Sequence, residues 1–243
     1  MKRLFPLVCA ALTVLIILPA FAQDDDSDSG QPAPPLSAFQ GGLGVNGTIY
    51  ALAIQSDGKI ILGGQFATVN GIPRSNLARL NADGTLDRTI FEQEPAGTNG
   101  PVYALAIEPQ GGILVGGLFS MAGKTPRMNL ARFNVDGATD KNFDGGKGPN
   151  GRVQAIITQP DGKFIAAGEF SQVGGIPRNN IARFNADTTL DQAVTSARNP
   201  LTGPTKALAG LPNGNFVAGG FFVVGEVPTR SIIQLPAPIP ASR

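Results

Sequence analysis

The sequence predicts an all-β fold, a β-propeller of about four antiparallel blades. Three observations predict it. Four stretches align on one another, Ile49–Ile54, Val102–Ile107, Val153–Ile157 and Thr205–Ala209, each followed by a turn and a strand with paired small residues. Counted on the second residue of each pair (Gly64, Gly117, Gly168 and Gly220), the periods are 53, 51 and 52 residues. The 32 glycines and 20 prolines are spread among apolar runs, the pattern of short strands joined by tight turns.

Along the chain, residues 1–22 read as a Sec-type signal peptide. Lys2 and Arg3 precede an uncharged stretch, and Ala20-Phe21-Ala22 offers a small-x-small cleavage pattern before Gln23. The alternative is an uncleaved anchor. Removal would leave no membrane span and would place the protein in the periplasm or outside the cell. Residues 23–35 are acidic and rich in serine and proline, and cannot bury enough apolar surface to offset their ordering entropy; they read as a disordered linker. Residues 36–235 form the four repeats, and 236–243 a proline-rich tail.

Each repeat reads as a meander. The first strand is apolar on both alternating faces: Val102, Ala104 and Ala106 on one, Tyr103, Leu105 and Ile107 on the other. A strand of that kind is covered on both sides. The turn Ser56-Asp-Gly-Lys59 and its copy Pro160-Asp-Gly-Lys163 place Gly58 and Gly162 where a left-handed residue closes a hairpin. The second strand, Lys59–Phe66, carries the glycine pair, which lets a neighbouring backbone come close. A loop holding Gly71-Ile-Pro-Arg74 leads to a third strand, Asn76–Asn81, and Leu86–Phe91 is expected as a short outer strand. Such an outer element precedes each next first strand: Phe91 stands 11 residues before Val102, and Phe39 stands 10 before Ile49. The fourth repeat, ending at Ser231–Leu235, lacks it. The N-terminal segment is therefore expected to complete the last blade of a closed ring, which removes exposed strand edges. An open arc or a larger assembly is the alternative.

Composition narrows the chemistry. There is no histidine and no tryptophan, and the single cysteine, Cys9, lies in the expected signal. The commonest general base and metal ligand is thus absent, as are a disulfide frame and a thiol nucleophile in the mature chain. The 19 basic residues include Lys2 and Arg3, which leaves 17 against 18 acidic ones, with no basic stripe. No nucleic-acid partner is expected, and no cofactor, metal or catalytic residue is assigned.

The string Val-x-Ala-Leu-Ala-x-x-x-Asp-Gly-Lys-Ile-x-x-Gly-Gly-x-Phe, followed by Ala-Arg-Leu-Asn-x-Asp-Gly-x-Leu-Asp, resembles the delta-60 repeat of bacterial exported proteins. The resemblance spans about residues 36–235 and is best in the first and third copies; the fourth lacks the Asp-Gly-x-Leu-Asp part. It implies a β-propeller-like domain without an assigned general activity. The tryptophans of kelch, WD and Asp-box repeats are missing.

Four constellations are candidates. Arg74, Arg127 and Arg178, with Asn76, Asn129 and Asn180 and with Arg79, Arg132 and Arg183, could form an anion-binding ring or a scaffold. A residue repeated in every blade favours scaffold, with Arg79, Arg132 and Arg183 pairing to Asp83, Asp136 and Asp187 across each turn. The Asn-x-Asp-x-x-x-Asp runs, such as Asn81/Asp83/Asp87, could hold calcium or bond their own turns, and turn chemistry is favoured. Glu92, Glu94, Glu108, Glu169 and Glu226 fall off the consensus, and no spacing marks two of them as a glycosidase pair. The copies differ most at one end of the blades, at Tyr50, Tyr103, Gln154 and Lys206 and in the loop at Asn70, Ala122, Gly174 and Val224. Tyr50, Tyr103, Gln154 and Lys206 are the expected binding residues, with the two tyrosines as aromatic contacts; packing of both rings between blades is the alternative. The reading is an exported non-catalytic scaffold for a protein or glycan partner, the alternative an extracytoplasmic carboxylate-based hydrolase or lyase acting on carbohydrate.

Overall fold

The computed structural model describes residues 44–91, 96–143, 148–192, 203–213, 215–224 and 227–235. Among them there is no helix, and none therefore long and apolar enough to cross a membrane. Leu36–Phe39, expected to complete the last blade, lies outside the described residues, as do the expected signal, linker and tail.

The first blade contains β1 (Thr48–Ile54), β2 (Ile60–Gln65), the small hairpin β3 (Thr68–Val69) and β4 (Ile72–Pro73), and β5 (Leu77–Leu80). The second repeats it as β6 (Val102–Ile107), β7 (Ile113–Gly117), β8 (Met121–Ala122), β9 (Thr125–Pro126) and β10 (Leu130–Phe133). The third comprises β11 (Arg152–Thr158), β12 (Phe164–Glu169), β13 (Gln172–Val173), β14 (Ile176–Pro177) and β15 (Ile181–Phe184). The fourth is simpler, with β16 (Thr205–Gly210), β17 (Phe216–Val224) and β18 (Val227–Leu235). Each blade is a three-stranded antiparallel meander with the glycine-rich strand in the middle, in the order β1-β2-β5, β6-β7-β10, β11-β12-β15 and β16-β17-β18. Gly58, Gly111 and Gly162 close the first hairpins at φ 81°, 85° and 80°, a region open to glycine without steric cost.

The expected outer strand is not one. Leu86 makes a single bridge to Leu80, as Thr139 does to Phe133 and Leu190 to Phe184. The chain then turns away because Asp87 is drawn inward: its backbone N–H donates to the Arg79 carbonyl at 2.9 Å, and its carboxylate accepts from the Arg79 side chain.

Blades pack front to back. The back of blade 1 (Ile61, Leu77, Ile90, Phe91) meets the front of blade 2 (Val102, Ile113, Val115, Phe133) in one buried cluster. The back of blade 2 (Ala104, Leu114, Leu130, Phe143) meets the front of blade 3 in the next, where Phe164 and Phe184 stack at 4.7 Å between centroids. Ile165, Ala167 and Ile181 of blade 3 meet Phe216, Ala218 and Leu235 of blade 4 in the third. The first strands sit side by side in the order β1, β6, β11, β16; among the described residues β16 and β1 do not pack against each other as the successive pairs do.

The strict alternation expected of the first strand fails, for a physical reason. Register slips between Ile49 and Ala51, Val102 and Ala104, Val153 and Ala155, and Thr205 and Ala207. A β-bulge inserts one residue without a partner and shifts everything after it to the other face. Val102, Leu105 and Ile107 therefore all face blade 1, while Ala104 and Ala106 face blade 3.

Candidate functional site

The inserted residues of the four bulges are Tyr50, Tyr103, Gln154 and Lys206. The glycine pair is what permits this geometry. A Cβ on Gly64, Gly117 or Gly168 would collide with the backbone carbonyl of Thr48, Pro101 or Arg152 on the bulged strand. A Cβ on Gly63 would sit 2.6 Å from Val102 of the next blade, and one on Gly116 2.5 Å from Val153. One glycine thus admits the bulge and the other the neighbouring blade. Freed from the ladder, the bulged side chain is re-aimed, a common use of bulges beside binding sites.

Because the first strands are neighbours, the four bulges form a row. The Tyr50 and Tyr103 rings lie 5.1 Å apart at 37°. The Arg152 guanidinium stands 4.9 Å from the Tyr103 centroid, within cation–π range. Gln154 Nε2 donates to Glu169 Oε1 at 3.3 Å, and Lys206 Nζ donates to the same oxygen from the next blade. That ammonium, first, with Arg152 and Gln154 in support, holds the Glu169 carboxyl below its ordinary value despite some burial. Tyr50 Oη donates to Gln65 Oε1 at 3.3 Å. The four expected residues are thus brought together into one strip, aromatic over blades 1 and 2 and charged over blades 3 and 4. Tyr50 and Lys206 are exposed, Tyr103 and Gln154 half-buried.

A second row was not anticipated. The residue after each pair of small residues, Gln65, Leu118, Glu169 and Phe221, borders the first row, and Leu118 and Phe221 are 44% and 68% exposed. The signal for it was present, since these four positions differ between copies as the bulge positions do.

The loop positions do not form an equivalent set. Bridges Val45–Val69, Thr98–Ala122 and Pro149–Val173 bring the two loops together at one end, as expected, but they align Ala122 with Val69 and Val173. The true counterparts of Asn70 (φ 52°) are Gly123 (φ 54°) and Gly174 (φ 58°), so variation there serves a left-handed turn.

The recurring polar residues are framework. Asn129, at φ 61°, accepts from the Phe119 N–H at 2.9 Å and donates to the Pro149 carbonyl at 2.8 Å, tying blade 2 to the segment entering blade 3. Asn76 makes the same pair of bonds to Phe66 and Thr98. Arg127 donates to the carbonyls of Pro126 and Asp140, and Arg178 to those of Pro177 and Asp191. The guanidinium groups of Arg79, Arg132 and Arg183 pair with Asp87, Asp140 and Asp191 at 2.8, 2.7 and 2.8 Å, not with Asp83, Asp136 and Asp187. Those three carboxylates are used inside their own turns, accepting from the N–H of Thr85, Ala138 and Thr189. The Asn/Asp runs are therefore spent on turns and on these ion pairs.

Glu92, Glu94 and Glu226 lie outside the described residues. Glu108 follows the far end of β6 beside Arg132, and burial raises its carboxyl against that neighbour's pull. Glu169 ends β12 at the opposite, bulged end, so these two carboxylates do not converge.

Residues 55–89, 109–143 and 159–193 match the model of a family described as a domain of unknown function (DUF5122) β-propeller. Each match runs from the first hairpin turn through the Asp that pairs with arginine, so the chain carries β-propeller-type repeats. No curated protein matches the chain. Among solved structures, the WD40 β-propeller domain of Doa1 is 14% identical, covering 78% of this chain and 50% of that one, at a TM-score of 0.49. PorZ, a bacterial surface component of the type-IX secretion system of Porphyromonas gingivalis, is 13% identical over 70% of this chain and 24% of its own, at 0.47. A protein of unknown function from Bacteroides caccae is 15% identical over 79% and 62%, at 0.42. The chain spans half the length of the first of these structures.

Proposed function

We propose that the protein is an exported β-propeller scaffold of the delta-60 type that binds a protein or glycan partner, without catalysis, on the strip of bulge residues. One observation carries the reading. Blades 1 to 3 repeat the same framework asparagines and arginines, yet the side chains freed by the bulges change from tyrosine in blades 1 and 2 to glutamine and lysine in blades 3 and 4. Tyr50 meets Tyr103, Tyr103 meets Arg152 and Lys206 meets Glu169 across blade boundaries. Framework is repeated because each blade needs it; a recognition surface is composite because each blade contributes something different. The tilted tyrosine pair, Tyr50 exposed and Tyr103 half-buried, offers an apolar platform with hydroxyl groups, and Arg152, Glu169 and Lys206 beside it supply charged hydrogen-bonding groups, the mix found at recognition surfaces.

The tyrosines give a direct readout. Tyr50 and Tyr103 are the only two tyrosines in a chain without tryptophan, so with a polysaccharide titrant, which does not emit, intrinsic emission reports on the strip alone, and protein fractions are read by capture. Soluble neutral and acidic polysaccharides, and protein fractions from an envelope extract, are titrated against the exported chain. A partner is expected to change tyrosine emission saturably, and Tyr50→Ala/Tyr103→Ala to weaken its capture at least about tenfold, as loss of aromatic anchors does. Undiminished capture by the double variant would sink the assignment.

A further inference from the structure

We infer that two copies of this chain join head to tail, the front of blade 1 on one copy seating against the back of blade 4 on the other, to close a ring of eight blades.

The inference starts from the interface that the chain makes three times within itself. At each, the front of one blade presents side chains from its bulged first strand: Val102, Leu105 and Ile107 in blade 2, Val153 and Ile156 in blade 3, and Leu208 in blade 4. Val102 and Val153 are fully buried there, and Leu105, Ile107 and Ile156 pack beside them. The corresponding residues of blade 1 are Ile49, Leu52 and Ile54, which the register places on the same face. They are 41%, 54% and 62% exposed. Ile49 and Leu52, with Ile60 and the buried Leu62 and Leu80, line an open groove of about 470 Å³.

The other half of the interface is left over at the far end of the same chain. On the backs of blades 1 to 3, Leu77, Leu130 and Ile181 are 0%, 0% and 3% exposed because the next blade covers them. Their counterpart on blade 4 is Ile232, paired with Gly219 as Leu77 is with Gly63, and it is 70% exposed. One chain thus carries both complementary halves of its own repeating contact, and among the described residues β1 and β16 do not pack as successive first strands do. The three exposed apolar side chains on the front of blade 1 form a contiguous patch of the kind that marks an interaction surface, and Ile232 stands in water where its three counterparts are covered.

A second copy fits both halves at once. A contact between two different patches is heterologous, and it forms a closed ring only if the rotation per subunit returns to the start. Two copies of four blades make eight, within the four to eight that propellers use. The same step along the strip would bring Lys206 of one copy beside Tyr50 of the other, so closure would also complete the row of bulge residues.

The test is the mass in solution of the exported chain by light scattering at micromolar concentration. Twice the chain mass is expected. Leu52→Lys/Ile54→Lys on the front and Ile232→Lys on the back should each halve it; all three positions are exposed in the single copy, and unchanged far-ultraviolet circular dichroism checks the fold. The two variants mixed should regain a two-copy mass, because one intact front meets one intact back. A wild-type mass of one chain would mean that the faces are covered within the chain, and would overturn the inference. An open-ended polymer, a two-copy mass in both variants, or no recovery on mixing, which a front-to-front dimer gives, would each overturn it as well.

Discussion

Asp87 shows how much of each blade rests on a single side chain. It is 2% exposed, and one carboxylate oxygen receives both Lys59 Nζ and Arg79 Nε at 2.8 Å. The other accepts the Thr89 N–H and hydroxyl at 2.8 and 2.7 Å. Burial opposes its ionisation, yet the bonds from Lys59 and Thr89 and the charge of Arg79 hold its carboxyl far below the ordinary value. Asp140 is shifted the same way against burial, by the Asn142 N–H and Arg132. A carboxyl depressed in the folded state stabilises it fully above the unfolded value, about pH 4, and that contribution is lost as pH falls further. Asp87→Asn keeps the shape but leaves Arg79 buried without its countercharge. It should cost about 3 kcal/mol in denaturant unfolding at pH 7. It should also flatten the loss of stability below about pH 4; equal slopes for variant and wild type would refute this.

At the scale of the element, the bulged hairpin is the device that makes a site out of a repeat. A bulge survives only where the opposite strand has room for the displaced carbonyl, and Gly117 provides that room for Pro101. Its backbone is not in the left-handed region, so the need for glycine there is purely one of space. Gly117→Ala should therefore destabilise the chain by about 1–3 kcal/mol, the usual cost of overpacking. It should also shift the Tyr103 resonances as its strand is pushed away. Gly210→Ala is the control, since a Cβ there meets nothing within 4 Å and its φ is not positive. It should change stability by less than about 0.5 kcal/mol, or raise it slightly by restricting the unfolded chain. Similar losses in both would mean that glycine acts here through flexibility and not through close approach.

For the whole molecule, stability in a linear repeat is the sum of blade terms and of the contacts between neighbours. Blades 2 and 3 have both faces covered, while Ile49, Leu52 and Ile54 on the front of blade 1 and Ile232 on the back of blade 4 stand exposed. In the Leu52→Lys/Ile54→Lys chain, where the ends stay open, hydrogen exchange should be slowest in β7 and β12. It should be at least about tenfold faster in β1 and β18, since open ends fray by local unfolding. Uniform protection across the four blades would show that they unfold as one unit and that the end faces carry no deficit.

The repeat and the antiparallel meander follow from sequence alone, because a period near 52 residues and glycine-bearing turns are local properties; for the Asn and Arg residues their recurrence favoured a framework role, and the hydrogen bonds decided it. The four bulge residues were legible too, but only as positions where the copies differ; that they touch one another depends on how neighbouring blades sit. Three features were settled by tertiary structure. The bulge broke the period-two reading of Val102–Ile107, since one inserted residue reverses every face beyond it and leaves composition unchanged. The partner of Arg79 proved to be Asp87 and not the nearer Asp83, because Asp83 is consumed by its own turn. The exposure of Ile49, Leu52, Ile54 and Ile232 was hidden as well: in sequence they match their buried counterparts, and burial is decided by which blade stands next to them.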